Sequence, residues 1–368
     1  MKSSYLLTSA LTAALLVASC DNTSEPLPAA AGEDNSVTFT LRTPAGENVV
    51  YGRALHESDE FAINSLALYE YEVAEDGSTT LARIMKKDGN GKNALVLTED
   101  AENSYTFSII VPAENDGKQY SYKFVANDAT SNPAVGSSFD DFAATVARLT
   151  LAGGESADVF CAEGTGIAMS GVAKGDDGSE VITMKKGARC TVELTRIVSR
   201  IDIEYQTPNL KVTRVELHGA PATGTLFPAA TLAVPAEGTS LTLAMNANTP
   251  LPGGFLSELS EDKFEMKKAF YIYERANTDD DCVSVHIEYN VAANGLTDYT
   301  GSVDVPFRKT DGTGTYIDAV RNHLYTIVLG NGTDPVSGKV SAIVKVAEWN
   351  GVDIDEPLTD EDDPVINN

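Results

Sequence analysis

The sequence predicts an all-β protein built as two tandem β-sandwiches, with one short helix in the first. Three observations predict it. Short stretches in which apolar and polar residues alternate recur from Val37 almost to the end of the chain. Clusters of Gly, Asn, Asp and Pro separate them, as turns between antiparallel strands require. The length of 368 residues and a hydrophobic fraction of 42% suffice for two cores.

The chain begins with a segment that is not part of the fold. Lys2, the apolar run Leu6 to Val17 and the small residues Ala18 and Ser19 form a secretory signal peptide over residues 1–19. The run is too short to span a bilayer. Val17-Ala18-Ser19-Cys20 is a lipobox, so Cys20 is expected to carry lipid as the first residue of an exported lipoprotein. Residues 21–36 are polar and aperiodic, and read as a tether.

Val37, Phe39 and Leu41 alternate with Thr38 and Thr40 as the first strand. Ile63 to Val73 is the next strand region, followed by a turn at Asp88-Gly89-Asn90-Gly91 and a return at Leu95-Val96-Leu97. Tyr105, Phe107, Ile109 and Val111 share one face, and Tyr120, Tyr122, Phe124 and Ala126 share another. The turn Asn115-Asp116-Gly117 between them predicts a hairpin. Ser138 caps a helix, with Phe139, Phe142, Val146 and Leu149 on one side and Gly153-Gly154 at its end. Strands resume at Val181 to Met184 and Cys190 to Tyr205. Further strands follow at Lys211 to Leu217, Leu241 to Met245, Ala269 to Tyr273, Val283 to Tyr289, Gly301 to Phe307, Leu324 to Leu329 and Val340 to Trp349. Many short strands between turns indicate sandwiches rather than a parallel sheet. The expected domains are residues 54–195 and 196–355, followed by an acidic tail over 356–368 that is expected to be disordered.

The formal net charge of −27 repels phosphate backbones and sets nucleic-acid binding aside. After Cys20, the remaining cysteines are Cys161, Cys190 and Cys282, with no CxxC pair to suggest zinc or redox chemistry. Cys190 alternates with Val192 and Leu194, which suggests a buried thiol; a Cys161–Cys190 disulfide stays open. The histidines are His56, His218, His286 and His323, none in a metal-binding spacing. His286 and Glu288 share a strand face without an evident third ligand. Asp279-Asp280-Asp281 lacks the ligand spacing of a calcium loop and reads as a solvated loop. No nucleophile elbow or phosphate-binding glycine loop occurs. Paired carboxylates of a glycosidase need no local motif, but the single Trp does not favour a sugar-stacking cleft. No catalytic, metal or cofactor site is expected.

Seven stretches, in order, resemble the fimbrillins of type V pili from Bacteroidales. They are Gly52-Arg53-Ala54, Lys123-Phe124-Val125-Ala126-Asn127, Ala168-Met169-Ser170-Gly171 and Leu194 to Ile201. Phe270-Tyr271-Ile272-Tyr273-Glu274, Arg321-Asn322-His323-Leu324-Tyr325 and Val346-Ala347-Glu348-Trp349 complete the set. Arg275 stands where that family often has Asn, and the acidic tail is longer than expected of a stalk subunit. The resemblance implies two transthyretin-like domains and a lipid-carrying precursor. It also implies cleavage between Arg53 and Ala54 by an arginine-specific, gingipain-class protease, and strand exchange between subunits.

The residues agree with that implication. Val37 to Tyr51 is strand-like and precedes a basic Arg53, so cleavage there removes a strand and opens an apolar groove. Ala342, Val344 and Val346 lie on one face of the last strand, with Ile343, Ala347 and Trp349 on the other. Val352 and Ile354 continue the alternation, which makes this region the expected donor strand; that it is simply the last strand of its own domain stays open. The expected partners are copies of the chain, other fimbrial subunits, the protease, and the outer membrane through lipid before cleavage. The expected role is a surface fimbrial subunit supporting adhesion. The alternative is an anchored lipoprotein, a fimbrial anchor or tip or a glycan- or protein-binding module, that does not polymerise.

Overall fold

The computed structural model describes residues 36–44, 60–128 except 102 and 111, 132–143, 146–147, 166–205, 210–246 except 238, 255–260, 263–291, 299–309, 314–333 and 340–348. All lie in one compact unit, Asp34–Asn368. Cys20, Arg53, Ala54, Cys161, Trp349, Val352 and Ile354 fall outside the described residues.

The first part of the chain contributes β1 (Ser36–Arg42), β2 (Leu66–Val73), β3 (Thr79–Lys86), β4 (Thr98–Ala101), β5 (Ser104–Ile110) and β6 (Gln119–Ala126). Helix α1 (Phe139–Ala143) and β7 (Val146–Ala147) follow, then β8 (Met169–Gly175), β9 (Ile182–Thr183), β10 (Arg189–Glu193) and β11 (Thr195–Arg196). The main strands form one curled sheet in the order β3-β2-β6-β8-β10-β1-β5-β4. Its two halves face each other across a core that includes Phe39, Leu68, Phe107, Tyr122 and Phe124. Strand β8 joins the halves. Met169 to Val172 pair with β6, and Ala173 to Gly175 pair with β10. Gly171 sits at this change of partner, where a Cβ would lie 2.5 Å from the Glu193 carbonyl oxygen.

Two expectations are corrected here. The stretches around Phe107 and Phe124 do not form a hairpin, because β5 pairs with β1 and β4, while β6 pairs with β2, β8 and β9. The connection is an arch across the core, and the two rings meet face to edge at 6.0 Å. A strand from about seventy residues upstream takes the place that local pairing would fill. The helix is also shorter than its apolar stripe suggests. Ser138 Oγ does accept the Asp141 N–H at 3.2 Å, but helix ends at Ala143 and Val146 enters β7, paired with Thr225. A partner strand from further along the chain overrides the helical spacing.

The second part contributes β12 (Val198–Tyr205), β13 (Leu210–Pro221), β14 (Gly224–Thr225), β15 (Ser240–Asn246), β16 (Phe255–Ser260) and β17 (Lys263–Tyr273). It closes with β18 (Ser284–Val291), β19 (Tyr299–Pro306), β20 (His323–Thr333) and β21 (Val340–Glu348). A five-stranded sheet, β16-β17-β12-β20-β21, packs on a four-stranded sheet, β15-β13-β18-β19. The expected single strand from Cys190 to Tyr205 is three. Strands β10 and β11 pair with β8, whereas β12 pairs with β17 and β20, so the chain leaves the first sheet at Ile197.

Strand β2 explains how the two parts join. Leu66 and Leu68 enter the first core, while Ala67, Tyr69 and Tyr71 point to the opposite face. A strand apolar on both faces needs cover on both. That second face packs against α1 and Phe227, whose ring lies 5.1 Å from Phe139 and 5.6 Å from Phe142. Arg321 holds the segment Thr225 to Phe227 in place. It donates to the carbonyls of Leu226 at 2.9 Å and Thr225 at 3.1 Å, and pairs with Glu274. The core of the second part therefore continues into the first.

Candidate functional site

The site is the socket that β1 fills. Residues Ser36 to Arg42 pair antiparallel with Ile110 to Ser104 of β5, and Thr38 to Arg42 pair parallel with Arg189 to Glu193 of β10. Strand β1 is thus interior to the sheet, hydrogen-bonded on both edges. Val37, Phe39 and Leu41 are each 0% exposed. Phe39 stacks on Phe107, its cross-strand partner, at 5.0 Å and 7° between planes. Tyr122 meets it edge-on at 5.0 Å and Phe124 closes the cage at 5.9 Å. The three side chains contribute roughly 6–8 kcal/mol of gross apolar burial. Removing β1 would leave β5 and β10 with facing unpaired edges over an apolar floor, a template for another strand.

The strand ends firmly. Arg42 O accepts the Leu194 N–H at 2.9 Å, and Thr43 N donates to Asn103 O at 3.0 Å. Beside Phe39, Cys190 is buried with a free thiol. Burial, then the nearby Asp176 charge, pushes that thiol up to about 12. The expectation of a buried, apolar thiol is met.

Downstream of the expected cleavage point, the chain is tied into both parts. Glu60 is buried and accepts from Arg200 Nη1 at 3.1 Å and from the Tyr271 hydroxyl. Arg200 also grips Asp202 through two bonds of 2.8 and 2.5 Å. Burial by itself would push the Arg200 guanidinium down; Asp202 and Glu60 outweigh it and hold it above the ordinary arginine range. Arg196 Nε donates to Glu60 O at 2.7 Å and Arg196 Nη1 to Asn322 Oδ1 at 3.0 Å. Asn127, in the left-handed region at φ 58°, accepts from the backbones of Asn64 and Ser65 at 2.8 and 3.2 Å. It donates to Ala62 O at 2.7 Å and Ile167 O at 2.9 Å. The stretch after residue 59 is therefore anchored independently of β1. Sequence reasoning singled out the stretches holding Asn127, Arg196, Arg200 and Tyr271, but not Glu60, which sits in a polar run without periodicity.

At the other end, β21 is the edge of the five-stranded sheet, paired antiparallel with β20. Val344 is buried in the core of its own domain, Ala342 is half-buried, and Ile343 and Val346 are 38% and 37% exposed. In this chain the segment serves as the last strand of its own sandwich.

Among the described residues, no group of three or more His, Cys, Asp and Glu side chains is placed to hold a metal ion. His286 bonds Asp304 at 2.6 Å and His218 sits 3.3 Å from Glu216, all on the outer face of the four-stranded sheet. Asp279 and Asp280 are exposed, and Asp281 pairs with the buried Arg275 at 3.0 Å. Arg275 donates to the carbonyls of Gly219 and Asp281 at 2.7 and 2.8 Å.

No family model matches the chain, and no curated protein matches it. Solved structures do. A putative cell adhesion protein of Bacteroides eggerthii is 15% identical with a TM-score of 0.49, over 86% of this chain and 97% of that one. The fimbrial anchor protein Mfa2 of Porphyromonas gingivalis is 10% identical with a TM-score of 0.36, over 85% of this chain and 98% of that one. The tip fimbrial protein Mfa3 of Porphyromonas gingivalis, with a C-terminal truncation, is 15% identical with a TM-score of 0.48, over 85% of this chain and 100% of that one.

Proposed function

We propose that the chain is a structural subunit of a surface fimbrium that supports adhesion. It is exported as a lipoprotein acylated at Cys20, matured by cleavage between Arg53 and Ala54, and assembled by strand exchange. One observation carries this. The strand upstream of Arg53 is a full interior member of the first sandwich, with Val37, Phe39 and Leu41 completely buried. Cutting at Arg53 turns that strand into a separable ligand of its own domain. The mature first domain then presents a groove to a strand from a neighbouring subunit.

Arg42 is the other arginine upstream of Ala54, and its surroundings favour Arg53. Its backbone and that of Thr43 are hydrogen-bonded within the sheet, and a protease needs an extended, accessible segment. The anchoring of Glu60 and of residues 62–65 lets residues 1–53 leave without unravelling the mature N-terminus. The donor side is the C-terminal region, Ala342, Val344, Val346, Trp349, Val352 and Ile354. The test is the N-terminal residue of the protein recovered from the cell surface, in wild type and in Arg53→Ala. The expected outcome is Ala54 in assembled wild type and a full-length, unassembled lipoprotein in the variant. A surface form starting at residue 20 or 43 would sink the maturation site.

A second reading has an observation of its own. Before cleavage, β1 completes the first sandwich and β21 completes the second. A chain that keeps both is an anchored, non-polymerising surface lipoprotein. Retention of Cys20 in the surface form distinguishes it.

A further inference from the structure

We infer that the socket left by β1 is filled by a strand of a different subunit, one carrying an apolar–aromatic–apolar triad at alternate positions, and not by this chain's own C-terminal region. The inference rests on the strand-exchange assembly proposed above and names the partner of that same socket.

The argument starts from the shape of the socket. Its central position holds a phenyl ring stacked on Phe107 and caged by Tyr122 and Phe124. Its two flanking positions hold Val37 and Leu41, also fully buried. A replacement strand must place three apolar side chains inward at i, i+2 and i+4, with an aromatic in the centre. An aliphatic residue there leaves a void among three rings, and a polar one is buried without a partner.

Four registers of the chain's C-terminal region that bring apolar side chains inward at two or more of these positions each fail. Ala342, Val344 and Val346 are apolar but put an aliphatic side chain in the cage. They must also be withdrawn from β20, where Val344 is already buried. Ala347, Trp349 and Gly351 place a larger ring in the centre and nothing at one flank. Val352 and Ile354 fill two positions, but the third is Asn350 on one side or Glu356 on the other. Trp349 is the sole aromatic residue after Tyr325. The same C-terminal strand can serve a neighbour with a smaller, aliphatic socket, so the chain links unlike subunits rather than copies of itself.

The test uses the mature protein made by arginine-specific cleavage of the full precursor, with fluorescein-labelled peptides added as residues 20–53 are removed. The peptides cover residues 35–44, residues 340–348 and residues 347–358, and binding is read by fluorescence anisotropy. The expected result is that the 35–44 peptide binds, while both C-terminal peptides bind at least about 100-fold more weakly. Phe39→Ala in the first peptide should cost a similar factor. Val344→Phe in the 340–348 peptide should recover at least about tenfold. A C-terminal peptide that binds within tenfold of 35–44 overturns the inference and makes the fibre a homopolymer. So does a Phe39→Ala peptide that binds like its parent. If residues 20–53 cannot be exchanged and no peptide binds, strand exchange itself fails, and this inference with it.

Discussion

Replacing Phe39 by alanine removes the ring at the centre of the first core. The side chain is 0% exposed and its ring lies 5.0 Å from both Phe107 and Tyr122 and 5.9 Å from Phe124. Nothing nearby can collapse into the gap, because the surrounding rings are held by strands on both facing halves of the sheet. The loss therefore belongs at the full value for a buried phenylalanine, about 3–5 kcal/mol. In a domain of this size that lowers the first-domain transition by roughly 10 °C. The assay is differential scanning calorimetry on uncleaved Cys20→Ala precursor, which lacks the lipid, with and without Phe39→Ala. A second readout follows cleavage at Arg53. Wild-type residues 20–53 should stay bound to the mature protein until competitor strand is added, whereas the Phe39→Ala segment should dissociate on its own. Precursors that melt within 2 °C of each other would show that β1 is not integral to the core, and the strand-exchange reasoning would collapse with it.

Other outcomes follow from the same structure. Glu60→Ala removes the carboxylate that accepts from the Tyr271 hydroxyl and from Arg200, and should destabilise by about 3–5 kcal/mol in denaturant unfolding; a loss below 1 kcal/mol would show that Glu60 does not anchor the mature N-terminus. The Cys190 thiol should resist alkylation at pH 8 in the folded protein and react on unfolding, and labelling in the native state would contradict its burial. Because that thiol titrates at 9.0 unfolded and about 12 folded, the unfolded state binds fewer protons between those values. The Cys190 contribution to stability should therefore fall across that window, by at most about 1.4 kcal/mol per pH unit, and Cys190→Ala should show a shallower total fall; buried tyrosines such as Tyr120 and Tyr122, also pushed up by burial, add to the fall above pH 10. Cys20→Ala should abolish fatty-acid incorporation and delivery to the outer membrane, and undiminished labelling would exclude the lipobox assignment.

The strands were legible because alternation is a local property. Val37, Phe39 and Leu41 had to face one way in any strand, and all three are buried. Pairing partners were not legible. The turn at Asn115-Asp116-Gly117 fits a hairpin as well as an arch, and only the arrival of β1 beside β5 decides between them. Val146 fits a helical stripe, but its partner Thr225 lies about eighty residues away. The anchoring network was beyond sequence for the same reason. Glu60 meets Arg196 and Arg200 across 136 and 140 residues, and Tyr271 across 211. Sequence by itself determined which residues alternate, Val37, Phe39 and Leu41 among them. Tertiary structure alone decided what surrounds Phe39, because a cage of rings from β5 and β6 is a product of non-local packing that no local periodicity encodes.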